Sequence, residues 1–189
     1  MLARRDLPAA AHAFMATFDE DIMAATKNLT DLLLVFMQDI YYAERQITKA
    51  LPKMAKAAQN EQLKQSFMTH RDETQGQIER LQKAFEVLGK RARGQTCEAI
   101  NGLIEETEEV IEEFPEGSVR DAGLAACAQA VEHYEMARYG TVIAWAKAAG
   151  HQEIVKLMEE TLAEEKKTDQ LLNQLSNKEL NQNAMKQAA

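Results

Sequence analysis

Glu132 and Glu135 stand three residues apart in the stretch AVEHYEMARY, residues 130–139. Three apart on a helix makes them neighbours on one face. They flank an apolar stripe of Leu124, Ala128, Val131, Val142 and Trp145 instead of facing away from it. Moving a carboxylate from water into a protein interior costs several kcal/mol unless a partner compensates, against a total stability of about 5–15 kcal/mol for a domain. These residues in this setting call for cations, and the chemistry they could carry is that of a carboxylate metal centre.

An internal repeat supplies the partners. AKAA occurs at 55–58 and again at 146–149, an offset of 91 residues. At that offset core positions meet core positions: Leu33 with Leu124, Ile40 with Val131, Leu51 with Val142, Leu63 with Ile154 and Phe67 with Met158. Glu44, between Ile40 and Ile47 on the inward face of its helix, meets Glu135. Two similar helical hairpins joined by a long connection predict a four-helix bundle with pseudo-twofold symmetry. Each half then brings an inward glutamate to the same level.

The second helix of each half adds His70 and Glu73, three apart, and Glu165 and Asp169, four apart. Glu164 is the strict repeat partner of Glu73, but Ile154, Met158, Thr161, Thr168 and Leu172 turn Glu165 inward and Glu164 towards the rim. The candidate ligands are thus Glu44, His70, Glu73, Glu132, Glu135, Glu165 and Asp169. Such an oxygen-rich set favours two metal ions, iron first and manganese second, over copper or structural zinc. Glu73 and Glu165 are expected as bridges, with Glu44 and Glu135 terminal. Tyr41, Tyr42, Tyr134 and Tyr139 lie close enough in sequence to hydrogen-bond the ligands. No side chain is singled out as catalytic, and no organic cofactor is expected. Taken singly, each candidate has a plainer reading, since most helix glutamates face solvent. Glu132 could equally join an exposed pair with Arg138 worth about 0.2–0.5 kcal/mol. Convergence across four helices is what separates the metal reading from the plain one.

The elements that must position these residues follow from periodicity and punctuation. Residues 1–28 read as a helical arm, 29–176 as the bundle and 177–189 as a polar tail, a frayed helix or an extra arm. Asn28 or Thr30 caps the first long helix, and Pro52 inside its pattern predicts a kink or a break. Gln59 to Glu61 form a turn, Gly89 stops the second helix, and Lys90 to Thr96 form a loop. A shorter, acidic helix over about Glu98 to Phe114 lies in the crossover. Ser118 is placed as the cap of a third long helix that Gly150 closes, and the fourth runs from about Gln152 to Leu175.

Composition agrees with an all-α chain: 3 Pro and 8 Gly in 189 residues, with 46% hydrophobic and 28% charged residues. A formal net charge of -8 speaks against nucleic acid as a partner, because phosphate binding needs a basic face. No apolar run approaches the roughly 20 residues of a membrane span. Two cysteines make no disulfide scaffold and point to a reducing, cytoplasmic setting.

Four runs carry a family likeness: DIYYAERQITKALPKMAKAA (39–58), HRDETQGQIERL (70–81), AQAVEHYEMARYGT (128–141) and ETLAEEKKTDQLL (160–172). Across about residues 29 to 176 the chain resembles the bacterial ferritin-like stress proteins of the YciE/YciF type. The resemblance implies a ferritin-like antiparallel four-helix bundle with a long crossover carrying an extra helix, a homodimer, and expression under stress. It also implies kinship with rubrerythrin and bacterioferritin, whose di-iron sites combine glutamates with two Glu-x-x-His motifs. Glu132-x-x-Glu135 matches the paired glutamates of the rubrerythrin third helix. Neither Glu-x-x-His motif is present: the second helix reads His70-x-x-Glu73, and the fourth has Asp169 where a histidine would help. There is no rubredoxin-like Cys-x-x-Cys module. The functions this leaves are a dinuclear metal protein with weak ferroxidase or peroxide-handling activity, and a non-catalytic dimeric structural stress protein. A storage cage ranks below both, because the arm and the crossover helix would occupy the surfaces a cage needs.

Overall fold

The computed structural model describes residues 27–187, so the arm expected over 1–28 falls almost entirely outside the described residues. The helices are α1 (Leu29–Ala57), α2 (Glu61–Val87), α3 (Glu98–Glu113), α4 (Ser118–Ala148) and α5 (Gln152–Leu175). A π-helical turn, Ser176–Leu180, leads into α6 (Asn181–Gln187). No strand occurs among the described residues. Shifted by the 91-residue repeat, α1 ends at Ala148 and α2 begins at Gln152, where α4 ends and α5 begins.

Local chemistry sets the helix ends. Asn28 accepts from the backbone N–H of Thr30 and Asp31, and Asp31 accepts in return from the Asn28 N–H, a capping box. Asn60 caps α2 through the Leu63 N–H at 3.0 Å. Gly89 (φ 64°) and Gly150 (φ 81°) follow α2 and α4 in the left-handed region. Their neighbours' N–H groups return to the last turn, Lys90 to the Phe85 carbonyl and His151 to the Ala146 carbonyl. Ser118 is the first helical residue and not the cap. Gly117 holds that position without a side-chain bond, and the Ser118 hydroxyl donates to the Asn183 carbonyl at 3.1 Å. Pro52 does not break α1: the helix runs through it, with Leu51, Met54 and Ala55 buried on either side. Core packing there outweighs the one backbone hydrogen bond that proline removes.

The four long helices pack as α1 against α2 and α4, and α5 against α2 and α4. Every neighbouring pair is antiparallel. Phe36 meets Trp145 edge-on at 4.6 Å while Tyr139 reaches Glu44, so α1 and α4 run in opposite senses. Arg80 bonds Thr161 while Lys167 bonds Glu73, which does the same for α2 and α5. The three-residue turns after α1 and α4 reverse the chain within each half. Asp121 on α4 fastens the first turn, accepting from the N–H groups of Gln59 and Asn60 at 2.8 Å each.

The crossover carries α3 along α1 and α4. Tyr42 bonds Asn101 at 3.0 Å and Lys53 pairs with Glu108 at 2.9 Å. Gly123 on α4 permits the close approach, since a Cβ there would lie 2.8 Å from Val110 Cγ1. The described part of the tail, residues 177–187, packs on the bundle: Leu180 is 1% exposed, Glu179 accepts from Asn60, and α6 lies on α4.

Candidate metal centre

Five ionisable side chains enter the bundle at one level. Glu44 comes from α1, His70 from α2, Glu132 and Glu135 from α4, and Glu165 from α5. Each follows from helix phase, because the apolar residues one or two turns away on the same face (Ile40 and Ile47, Phe67, Val131 and Tyr139, Met158 and Leu172) are core. Glu44, Glu135 and Glu165 are 0% exposed, Glu132 1% and His70 3%.

His70, Glu132, Glu135 and Glu165 each offer a ligand atom within 4.8 Å of all the others. His70 Nε2 lies 3.2 Å from Glu132 Oε1 and 3.9 Å from Glu165 Oε2. The shorter contact lacks hydrogen-bond alignment, and neither ring nitrogen has a hydrogen-bond partner. Both oxygens of Glu135 and one oxygen each of Glu44, Glu132 and Glu165 are likewise buried without a partner. In native interiors such orphans are rare, and each asks for a missing ligand. Three carboxylates and an imidazole within ligating distance of one another, with unsatisfied lone pairs, fit a metal cation.

The electrostatics agree. Burial raises the carboxyls of Glu44, Glu132 and Glu135 well above their usual range, and the nearby Glu165 carboxylate raises each further. Burial raises Glu165 as well, opposed by the positive charge His70 can carry. The phenol of Tyr139 is also pushed up, by burial first and then by Glu44 and Glu135. These groups cannot all ionise side by side without added positive charge.

Glu73 and Asp169 are not brought to this set. Glu73 keeps 23% side-chain exposure, lies 3.9 Å from His70 Nδ1 and accepts from Lys167 at 3.3 Å. The interaction with His70, aided by Lys167, holds its carboxyl below the usual range. At that rim position it lies beside His70, outside the group whose ligand atoms converge. Asp169, one turn past Glu165, turns towards α4 and meets Gln129 at 3.3 Å and His133 at 3.2 Å. Glu164 lies at the rim, paired with Arg80, while Glu165 faces inward. Of the four tyrosines, Tyr139 alone bonds a cluster carboxylate, donating to Glu44. Tyr41 accepts from Gln82, Tyr42 bonds Asn101, and Tyr134 contacts Cys97.

One residue escaped the sequence reading. Gln77 on α2 is wholly buried, and its amide donates to Glu165 at 2.5 Å and to Glu164 at 3.1 Å, leaving its carbonyl oxygen unpartnered. The signal was there: His70, Thr74 and Gln77 make a polar stripe at helical spacing on the core face of α2. By the repeat, Thr74 stands where α5 has Glu165, and His70 where it has Thr161. The centre is therefore lopsided, with an extra glutamate from α4 and a histidine from α2 on one side.

Comparison with known proteins follows the same lines. Protein YciF of Escherichia coli (strain K12) is 44% identical over 163 residues, covering 86% of this chain and 98% of that protein. The crystal structure of that protein, described as a stress protein, superposes with a TM-score of 0.79 over 82% of this chain and 99% of its own. YcfI from Rhodopseudomonas palustris is 50% identical, with a TM-score of 0.77, covering 80% of this chain and 96% of its own. A Xanthomonas campestris protein at 22% identity and a TM-score of 0.64 shares the fold. The chain belongs to the family described as "Domain of unknown function (DUF892)", whose profile matches residues 28–185.

Proposed function

We propose that the chain is a stress-related, ferritin-like metal protein whose buried cluster holds a dinuclear centre of iron, or alternatively manganese. The observation that carries this reading is Glu135: wholly buried, both oxygens unpartnered, and ringed by Glu44, Glu132 and Glu165. His70, Glu132, Glu135 and Glu165 would hold one ion, with Glu44 and the shared carboxylates facing a second. Bound iron would supply one-electron redox chemistry, the basis of a slow ferroxidase or peroxide-removing activity. The chain's own part is to hold the carboxylates converged, to orient Glu44 through Tyr139 and Glu165 through Gln77, and to exclude bulk water. The similarity to the stress protein YciF supports the physiological setting. A homodimer in the cytoplasm completes the proposal. No helix among the described residues is long and apolar enough to cross a membrane.

The test is elemental analysis of protein purified without chelator, beside Glu135→Gln and Glu165→Gln. The reading predicts at least one iron or manganese ion per chain in the parent and loss of metal in both variants. Parent protein that stays metal-free in excess ferrous or manganous ion would remove it. The second reading is a non-catalytic structural protein. It is favoured by the raised carboxyls, which let the cluster persist protonated without metal, and by the relative YcfI, described as a candidate structural protein. In that case Glu135→Gln leaves melting temperature and metal content where they were.

A further inference from the structure

We infer that a cavity one water in size, on the α3 side of the cluster, is a water site, and that through this water Thr107 of the crossover helix positions Glu132. The water site rests on the cavity alone, while the positioning role rests on the metal reading. The space measures about 20 Å³ and lies between α1, α3 and α4, with His70 of α2 in its lining. A single water needs about 10–15 Å³, so the space takes one.

The polar part of the lining selects the guest. Most of the wall is apolar, with Ile47 from α1, Ile104 from α3 and Ala128 from α4. His70, Thr107 and Glu132 also line it. The Thr107 hydroxyl gives its one proton to the Leu103 carbonyl at 2.8 Å, which leaves its oxygen as an acceptor. The Cys127 thiol beside that oxygen can take at most one of its two lone pairs. Glu132 Oε2 is buried with no hydrogen-bond partner, and so are both ring nitrogens of His70. A guest of this size must therefore donate, and water does so while also accepting. It needs two to four polar partners, and three side chains supply them. One proton goes to Thr107 Oγ1 and one to Glu132 Oε2, and the lone pairs are left for His70.

The repeat supplies a second observation. Its related positions in the first half carry larger side chains, Met37 for Ala128 and Tyr41 for Glu132. Met37 is wholly buried, and Tyr41 packs edge-on against Phe85 at 5.7 Å. The space therefore belongs to the half that supplies Glu132, the glutamate without a counterpart in the repeat. The crossover helix lies outside the repeat as well. Of its two buried residues, Ile100 and Thr107, only Thr107 is polar, and it lines this space. Tyr139 holds Glu44 and Gln77 holds Glu165 by direct hydrogen bonds. Thr107 does the same for Glu132 through the water.

The test begins with a crystal structure of the metal-free protein, grown without ammonium salts. A water within about 3 Å of both Thr107 Oγ1 and the Glu132 carboxylate is expected. Thr107→Val keeps the shape and removes the acceptor, so the water should be lost. Thr107→Ser keeps the hydroxyl, so the water should stay. Titration with manganous ion reads the positioning: Thr107→Val should bind about tenfold more weakly, and Thr107→Ser to within about twofold of the parent. Rescue by serine separates the hydroxyl from packing, because valine keeps the methyl group that serine lacks. A parent structure with no water there overturns the inference, whether or not the variants fold. A Thr107→Val protein that binds manganous ion as tightly as the parent overturns the positioning role. Parent protein that takes up neither manganous nor ferrous ion removes the metal reading and the positioning role with it, and the water peak then decides the site alone.

Discussion

The hydroxyl of Tyr139 on α4 donates to the carboxyl of Glu44 on α1, joining the two halves of the repeat at the level of the metal centre. Both side chains are wholly buried, and the other oxygen of Glu44 has no partner. The bond satisfies the phenol and half of the carboxyl, and it fixes where the remaining oxygen points. Tyr139→Phe removes the donor without changing the ring. The metal-free variant should lose about 1–3 kcal/mol in urea denaturation. Metal should be retained less tightly, because Glu44 is then free to rotate. An unchanged midpoint and unchanged retention would show that the bond positions nothing.

Metal-free protein should be more stable at about pH 5 than at about pH 8. Burial raises Glu44, Glu132, Glu135 and Glu165. Between the ordinary carboxylate range and those raised values the folded chain holds more protons than the unfolded one, so stability falls as pH rises through that window. Glu73 has the opposite sign: held low, it stabilises above the ordinary range, and that contribution is lost as pH falls through its depressed value. It is one group against four and partly exposed, so the net slope is set by the cluster. Melting temperature of chelator-treated protein across pH checks the sign, and a rise towards about pH 8 would contradict it. Loading with metal should reverse the slope, because ligands bind deprotonated.

Glu135→Gln gives opposite outcomes in the two states. It removes a charge that has no partner and keeps the shape, so the metal-free variant should be as stable as the parent or more so above about pH 7. The same variant should lose the stabilisation that ferrous or manganous ion gives the parent. Thermal denaturation with and without metal reads both effects. Equal stabilisation of parent and variant by metal would place the ion elsewhere.

Asp121→Ala should cost about 3 kcal/mol without changing the ligand set. Its carboxylate is 3% exposed and accepts from two backbone N–H groups in the turn between α1 and α2. Those donors would be left half-buried and unsatisfied. Urea denaturation should show the loss, while metal content of the folded protein stays that of the parent.

Much of the architecture was legible because long helices announce themselves. Asn28 and Asn60 marked helix starts through side-chain caps, and Gly89 and Gly150 marked helix ends through a backbone conformation open to glycine, so the end of α4 and the start of α5 fell where expected. Ser118 misled because a serine before a helical pattern resembles a cap, whereas Gly117 took that place and the hydroxyl found Asn183 across the fold. Inward glutamates such as Glu44 and Glu135 were visible as charges among core residues. Glu73 and Asp169 looked equivalent to them in spacing. Their fate turned on partners that periodicity does not reveal, Lys167 for one and Gln129 with His133 for the other. Gln77 was overlooked for the converse reason, being uncharged and ordinary until Glu165 is placed beside it.

Anomalous diffraction from crystals grown without chelator and soaked in ferrous or manganous salt bears most directly on the cluster. A peak within bonding distance of Glu135, shared with His70, Glu132 and Glu165, is the predicted result. Crystals saturated with either ion that show no peak there, with the carboxyls of Glu44, Glu132, Glu135 and Glu165 hydrogen-bonded to one another instead, would contradict it.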